Sequence, residues 1–313
     1  MNGDRPVLGV FLMLGFCVVA PMGDAVAKLL GQTVPLGQLL VVRFAVQTVL
    51  LIPLVWVTRG YWRMSGRVLR LTLLRTILHI VGIGAMFTAL QYLPLADAVA
   101  IAFVMPFILL LLGKYVLGED VGIKRLVACV VGFAGTLMVI QPSFAAVGWP
   151  ALWPVAVAIT FSFFILTTRQ IARETDPIAL QAVSGVIATA VLVPIVLIGG
   201  TFDIAPLSWQ PAGTSEWELL IAIGLLGTGA HLLMTWSLKY APSATLAPMQ
   251  YLEIPVATFI GWLIFCDLPD TLAAAGICIT VAAGIYIILR ESRLARSTKT
   301  EPDVRPRTRP LES

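Results

Sequence analysis

Residues 240–270 read YAPSATLAPMQYLEIPVATFIGWLIFCDLPD, and the fold turns on how that stretch is understood. It is apolar enough to cross a bilayer, yet it carries Gln250, Tyr251 and Glu253 near its middle, with Pro255 just after. A carboxyl at the centre of a bilayer costs roughly 2.5 kcal/mol or more. It persists where it is neutral, paired, or turned towards a water-filled cavity. A proline at that depth frees a backbone carbonyl and bends the helix, which is tolerable where the backbone lines a cavity. Polar groups and a helix break at one depth therefore predict a site inside a bundle of membrane helices. An earlier stretch, residues 92–120 (YLPLADAVAIAFVMPFILLLLGKYVLGED), follows the same plan. Both open on Tyr-x-Pro (Tyr92/Pro94 and Tyr240/Pro242). Both have a mid-helix proline, Pro106 and Pro255, and both end in acidic turns, Glu119/Asp120 and Asp267/Asp270.

Composition places these stretches in an all-α membrane protein. Of 313 residues, 58% are hydrophobic and only 12% charged, against about 25% charged in soluble domains; the mean hydropathy is +0.93. The net charge of +4 is no nucleic-acid signal, because the charges follow membrane sidedness. Cys17, Cys129, Cys266 and Cys278 fall in or beside apolar segments without metal-ligand spacing, and read as small buried residues. Residues 7–20 imitate a signal-peptide core, but the apolar run continues past Asp24 to Leu30, so it reads as an uncleaved first helix.

A span needs about 20 apolar residues. Ten segments qualify: 7–30, 36–58, 68–92, 94–117, 122–141, 149–169, 177–200, 217–240, 242–266 and 270–290. They divide into two five-helix units, 7–141 and 149–290, followed by a basic, Pro-rich tail at 291–313 that reads as disordered and cytoplasmic. Alternate connections carry Arg59, Arg63, Arg67 and Arg70; Lys114, Lys124 and Arg125; Arg169 and Arg173; and Lys239. The tail adds Arg290, Arg293 and Arg296. Connections 31–35, 142–148, 201–216 and 267–269 hold no Lys or Arg. By the positive-inside rule both termini are cytoplasmic. Lys28 and Arg43 are the two exceptions in this reading, flanking the first outer turn.

The halves repeat. Residues 86–94 (MFTALQYLP) and 234–242 (MTWSLKYAP) share Met, Leu, Tyr and Pro, 148 positions apart. Five spans per repeat is an odd number, so the halves must lie antiparallel, a device of secondary transporters that places a site at the midplane. Small residues for close packing recur at Gly82/Gly84, Gly132/Gly135 and Gly224/Gly227/Gly229.

Glu253 is the first candidate, as a protonatable or substrate-contacting carboxyl; the alternative is a neutral residue that joins helices. Gln250 lies one turn earlier on the same face, and Tyr251 about 100° away, towards the site or a neighbouring helix. Asp24 and Lys28 are spaced i, i+4, which allows an ion pair within one helix. Arg43 either joins that pair or binds an anionic group. Gln170 and Gly185, the corresponding second-half positions, lack these charges, so the repeat itself does not need them. His79 and His231 lie near mid-helix, as relay or packing residues. Trp236 and Trp262 read as stacking surfaces for a flat substrate or as interfacial anchors, Asp97 as a first-turn residue, and the acidic turns as caps. The symmetry-related face of the fourth span is apolar (Ala102, Met105), so a polar site is expected to lean towards the ninth.

Enzyme motifs are missing: there is no HExxH, G-x-S-x-G, P-loop or G-x-G-x-x-G. Gly23-Asp24 lacks the flanking glycine of membrane aspartyl proteases. No cofactor, metal or nucleic-acid partner is expected. Without a nucleotide motif, active transport would draw on an ion gradient, protons included, or on the substrate's own. Direction, coupling ion and oligomeric state stay open at this level.

L-P-L-A-D-A-V-A…P-F…L-G-E-D at 93–120 and Y-A-P-x-x-x-L-A-P-x-x-Y-L-E-I-P…G-W-L-I-F-x-D at 240–267 resemble the drug/metabolite transporter superfamily with two EamA-type domains, over residues 7–290. The resemblance implies a central cavity between the halves, alternating access, and small-metabolite transport across a bacterial inner membrane. Tyr251, Leu252, Glu253 and the D-x-P-D turn at 267–270 are similar to riboflavin and S-adenosylmethionine uptake branches. Riboflavin uptake is the specific expectation. Export of amino acids or drug-like metabolites is the alternative, and a structural or sensor membrane protein the remote one. Strict registration pairs Pro106 with Ile254 rather than Pro255, so the two breaks are expected to differ.

Overall fold

The structure is a computed structural model that describes residues 5–58, 64–118 and 122–297. Twelve α-helices carry the described chain: α1 (Pro6–Leu30), α2 (Leu36–Val57), α3 (Gly66–Leu90), α4 (Leu95–Ala102), α5 (Met105–Leu117), α6 (Ile123–Val147), α7 (Trp153–Ile171), α8 (Pro177–Thr201), α9 (Thr214–Tyr240), α10 (Ser243–Leu246), α11 (Glu253–Phe265) and α12 (Thr271–Ser297). No strand occurs among the described residues. Eight helices, counting Leu95–Val116 as one, are long and apolar enough to cross a bilayer. The ninth and tenth expected spans are shorter apolar helices, Met249–Phe265 and Thr271–Tyr286. Arg59, Arg63, Glu119, Asp120 and residues 298–313 lie outside the described residues. α12 runs to Ser297, seven residues beyond the expected start of the tail.

The surface is inverted relative to a soluble protein. Phe11, Val49, Trp56, Leu197 and Leu263 are exposed on helices that also bury apolar faces, the pattern that a lipid solvent favours. Between such helices apolar burial gives little drive, so small residues and polar contacts hold them together. α6 crosses α12 closely, where Gly135 and Gly276 face each other's carbonyl oxygens and neither has room for a Cβ. Further contacts join α1 with α9, α2 with α8, α3 with α7 and α4 with α11. Each joins a helix of 7–141 to one of 149–290.

Hydrogen bonds identify the ends of the bundle. Arg5 N–H donates to Tyr240 O (3.2 Å), Lys239 Nζ to Thr175 O (3.4 Å), and Arg67 Nη1 to Glu174 Oε1 (2.7 Å). These tie the basic connections into one end. At the opposite end Gln38 Nε2 donates to Gln210 O (3.0 Å).

The prolines act differently from the expectation. Neither Pro106 nor Pro255 bends a continuous helix. The fourth span breaks at Phe103–Val104, and Pro106 is the second residue of α5. The ninth passes through the 3-10 segment Ala247–Leu252, and Pro255 is the third residue of α11. In a first turn the missing N–H has no intrahelical acceptor to lose. The one-residue misregister of the repeat is thus the difference between second and third place in a new helix.

Candidate functional site

Between the halves lies a cavity of about 80 Å³. Phe16, Phe87, Phe103 and Phe161 supply much of its wall, and Asp24, Arg43, His231 and Glu253 are its charged or titratable lining. The two breaks position it: Phe103 and Met105 approach from the fourth span, and Glu253, first residue of α11, from the ninth. Glu253 is 8% exposed, and its Oε1 has no hydrogen-bond partner. Pockets that hold drug-sized ligands measure about 300–1,000 Å³, so this cavity is smaller than such a ligand needs.

Of the residues expected at a site, Glu253, Asp24 and Arg43 meet at the cavity; Gln250, Tyr251, Lys28, His79 and Trp236 do not line it. Gln250 is buried, with neither amide atom partnered. It lies in the 3-10 segment, across the break from Glu253, so face arithmetic for a continuous helix fails there. Tyr251 turns to a neighbouring helix. Its ring lies 5.5 Å from that of Phe103, and its hydroxyl abuts Gly132 on α6, where an added Cβ would come within 2.8 Å. Trp236 packs on Leu51, Val55, Ala179, Ala182 and Leu232. It is five residues past His231 on α9, about 140° round the helix.

The Asp24–Lys28 pair expected within α1 does not form. Lys28 Nζ instead bonds Asp267 Oδ2 at 2.7 Å, over the ring of Phe265 (4.6 Å), and joins the halves at the end opposite the basic turns. The long lysine stem reaches that turn, while the shorter Asp24 faces the cavity, where its charge interacts with Arg43. Arg67–Glu174 joins the halves at the basic end. Asp270 caps α12 through Ala273 N–H (2.8 Å), as the sequence suggests. Asp97 stands in the first turn of α4 and accepts from Ser143 Oγ (2.9 Å). Trp262 is half exposed on α11 beside Phe259.

His79 stands behind the wall with its Nε2 3.1 Å from His231 Nε2, inside a cage of Phe16, Phe44, Phe161 and Phe164. Arg75 is a second buried arginine beside the expected Arg43, and sequence reasoning missed it. It is 0% exposed and donates to Thr168 Oγ1 (2.7 Å) and Ser184 Oγ (2.6 Å). A signal was present: Thr72, Arg75, Thr76 and His79 form a polar stripe at i, i+3, i+4 and i+7 on an apolar helix. Gln47 and Gln181 were also missed. Gln47 Nε2 donates to Gln181 O (2.8 Å), and Gln181 Nε2 to His231 O (2.9 Å) and Thr235 Oγ1 (2.8 Å).

The EamA-like transporter family matches residues 7–141 and again residues 148–290. A riboflavin transporter of Rhizobium johnstonii is 29% identical over 224 residues, 72% of each chain. An S-adenosylmethionine uptake transporter of Rickettsia prowazekii is 23% identical over 94% of this chain and 96% of its own. A pseudopaline exporter of Pseudomonas aeruginosa is 26% identical over 93% of this chain and 97% of its own. A solved structure covering 92% of this chain and 98% of its own superposes with a TM-score of 0.66 at 19% identity, a likeness of fold.

Proposed function

Because the chain belongs to the EamA-like transporter family in both of its halves, we propose that it is a bacterial inner-membrane secondary transporter of a small, polar, planar metabolite. It works by alternating access between two inverted five-helix repeats, 7–141 and 149–290, with ten crossings and both termini cytoplasmic. The cross-half contacts support this topology: first span with eighth, second with seventh, third with sixth, fourth with ninth and fifth with tenth. A two-fold axis in the membrane plane turns the first–eighth contact into the third–sixth one and returns each of the other three pairs onto itself.

The observation that carries the reading is the aromatic-walled cavity between the halves with Asp24, Arg43, His231 and Glu253 in its wall. Phenyl rings hold a flat molecule, and few polar groups fix its orientation. Riboflavin taken inward is the specific substrate we propose, supported by the relatives of that name and by the aromatic wall. S-adenosylmethionine uptake or export of an amino-acid-like metabolite is the second reading, favoured by the charges of Asp24, Arg43 and Glu253. The cavity must widen to admit a flavin, and Lys28–Asp267 and Arg67–Glu174 stand where the halves would part at either end.

The test is growth of a riboflavin-requiring bacterium lacking its own carrier, at low riboflavin, expressing the wild-type chain or Glu253→Gln at matched membrane levels. Growth that the variant abolishes fits the proposal. Wild-type protein in the membrane without growth excludes riboflavin uptake and directs attention to an export screen with amino-acid analogues and toxic cations. Loss of expression in Glu253→Gln would instead mark a structural carboxyl.

A further inference from the structure

A run of basic side chains passes from the cavity wall into the protein. Arg43 reaches the cavity from α2, its guanidinium 4.9 Å from the Phe44 ring. Gly227 on α9 makes room for it: a Cβ there would lie 2.8 Å from Nε and 3.0 Å from Cζ. Arg43 is 3% exposed, its Nη1 has no hydrogen-bond partner, and among the described residues no carboxylate oxygen comes within ion-pair distance. His231 stands in the same lining and touches His79 behind it; neither Nδ1 is partnered. Arg75, one turn from His79 on α3, lies 4.6 Å from the ring of Phe164, which His79 also contacts. Its bonds go to two neutral hydroxyls, and its Nη2 has no partner.

An enclosed guanidinium without a counter-ion in contact is costly, and here two flank an imidazole pair. Their unpartnered N–H groups can donate but cannot accept. Asp24 and Glu253, the acceptors of the cavity, come from other helices, α1 and α11.

We propose that Arg43 and His231, backed by His79 and Arg75, form a subsite for a negatively polarised acceptor group of the substrate: a carboxylate or phosphate, or the dione edge of a flat ring. The inference rests on the transport reading. An acceptor group of the substrate meets Arg43 and His231, and Asp24 and Glu253 in the same lining leave room for donor groups. Arg75 and His79 are positioning residues, acting through His231 and through their field.

The test is ligand binding to the purified full-length protein, with transport measured separately. Four ring-matched probes separate charge from shape: indole-3-propionate (anion), tryptophan (zwitterion), tryptamine (cation) and 3-methylindole (neutral). Riboflavin serves as the dione probe. Binding of indole-3-propionate or riboflavin in preference to tryptamine and 3-methylindole is expected, and which of the two binds tells anion from dione edge. Arg43→Gln and Arg75→Met should each weaken the bound acceptor probe about tenfold or more, the scale of a lost charge-assisted hydrogen bond. Arg43→Lys and Arg75→Lys should restore part of that loss, which a merely structural arginine would not show in selectivity. If Arg75→Met does not fold, Arg43→Gln and the lysine variants decide alone. Equal binding of all four indoles, no binding of any acceptor probe, or unchanged selectivity in the arginine variants would overturn the proposal. Selective binding with no flux in either direction would refute the transport reading and leave the subsite standing.

Discussion

The fourth and ninth spans are built alike and loaded differently. Each opens after Tyr-x-Pro, breaks near its middle, and restarts in a helix with a first-turn proline. α4 and α11 lie against each other, with Gly261 of α11 close to Leu95 and Ala96. At the break, however, the fourth span offers the cavity Ala102, Phe103 and Met105, whereas the ninth offers Glu253. Its break is also longer, six residues of 3-10 helix against the two residues Phe103–Val104. A shared interruption with unshared chemistry separates scaffold from site. The break is common to both stretches, and the carboxyl is present in one of them.

Four tests break or sharpen this comparison, in falling order of effect. Gly135→Leu attacks what the halves share, by forcing a side chain into the carbonyl oxygen of Gly276 and into Thr280. Overpacking costs about 1–3 kcal/mol or more, and with backbone in the way we expect little folded protein by fluorescence size-exclusion chromatography. Glu253→Gln attacks the unshared part. Flux should fall about tenfold or more, the scale of removing one charge-assisted contact, with normal expression, while Met105→Leu on the opposing span stays within about twofold because a volume-conserving apolar swap costs little. Lys28→Ala should shift the balance between the two openings, read as altered cysteine labelling at the end opposite the basic turns, and the exchange Lys28→Asp with Asp267→Lys should restore it. Arg67→Ala should move thermal stability least, by about 0–1 kcal/mol, since both partners of that pair are largely exposed.

Much of the scaffold was legible because a bilayer imposes it on the sequence. Twenty-residue apolar runs, the alternation of basic turns and the twin Tyr-x-Pro stretches follow from local constraints. Glu253, Asp24 and Arg43 were legible for the same reason: charge at membrane depth is conspicuous. What escaped depended on contacts between distant segments or on local backbone. Lys28 finds Asp267 from the other half of the chain, and no spacing rule within α1 encodes that choice. Tyr251 was left between cavity and neighbour, and Gly132 on α6 accommodates it. Arg75 lies five residues past the last arginine of a basic connection, Arg70, and was not singled out, although its stripe with Thr72, Thr76 and His79 marks an inward face.

The central claim is that the carboxyl added by the ninth span is the working group of the cavity and the fourth span its apolar counterpart. The most direct measurement is initial riboflavin uptake by cells carrying the wild-type chain, Glu253→Gln or Met105→Leu, at equal surface expression. Uptake by wild type and Met105→Leu, with a loss of about tenfold or more in Glu253→Gln, is the result predicted. Uptake that survives Glu253→Gln unchanged would contradict the claim.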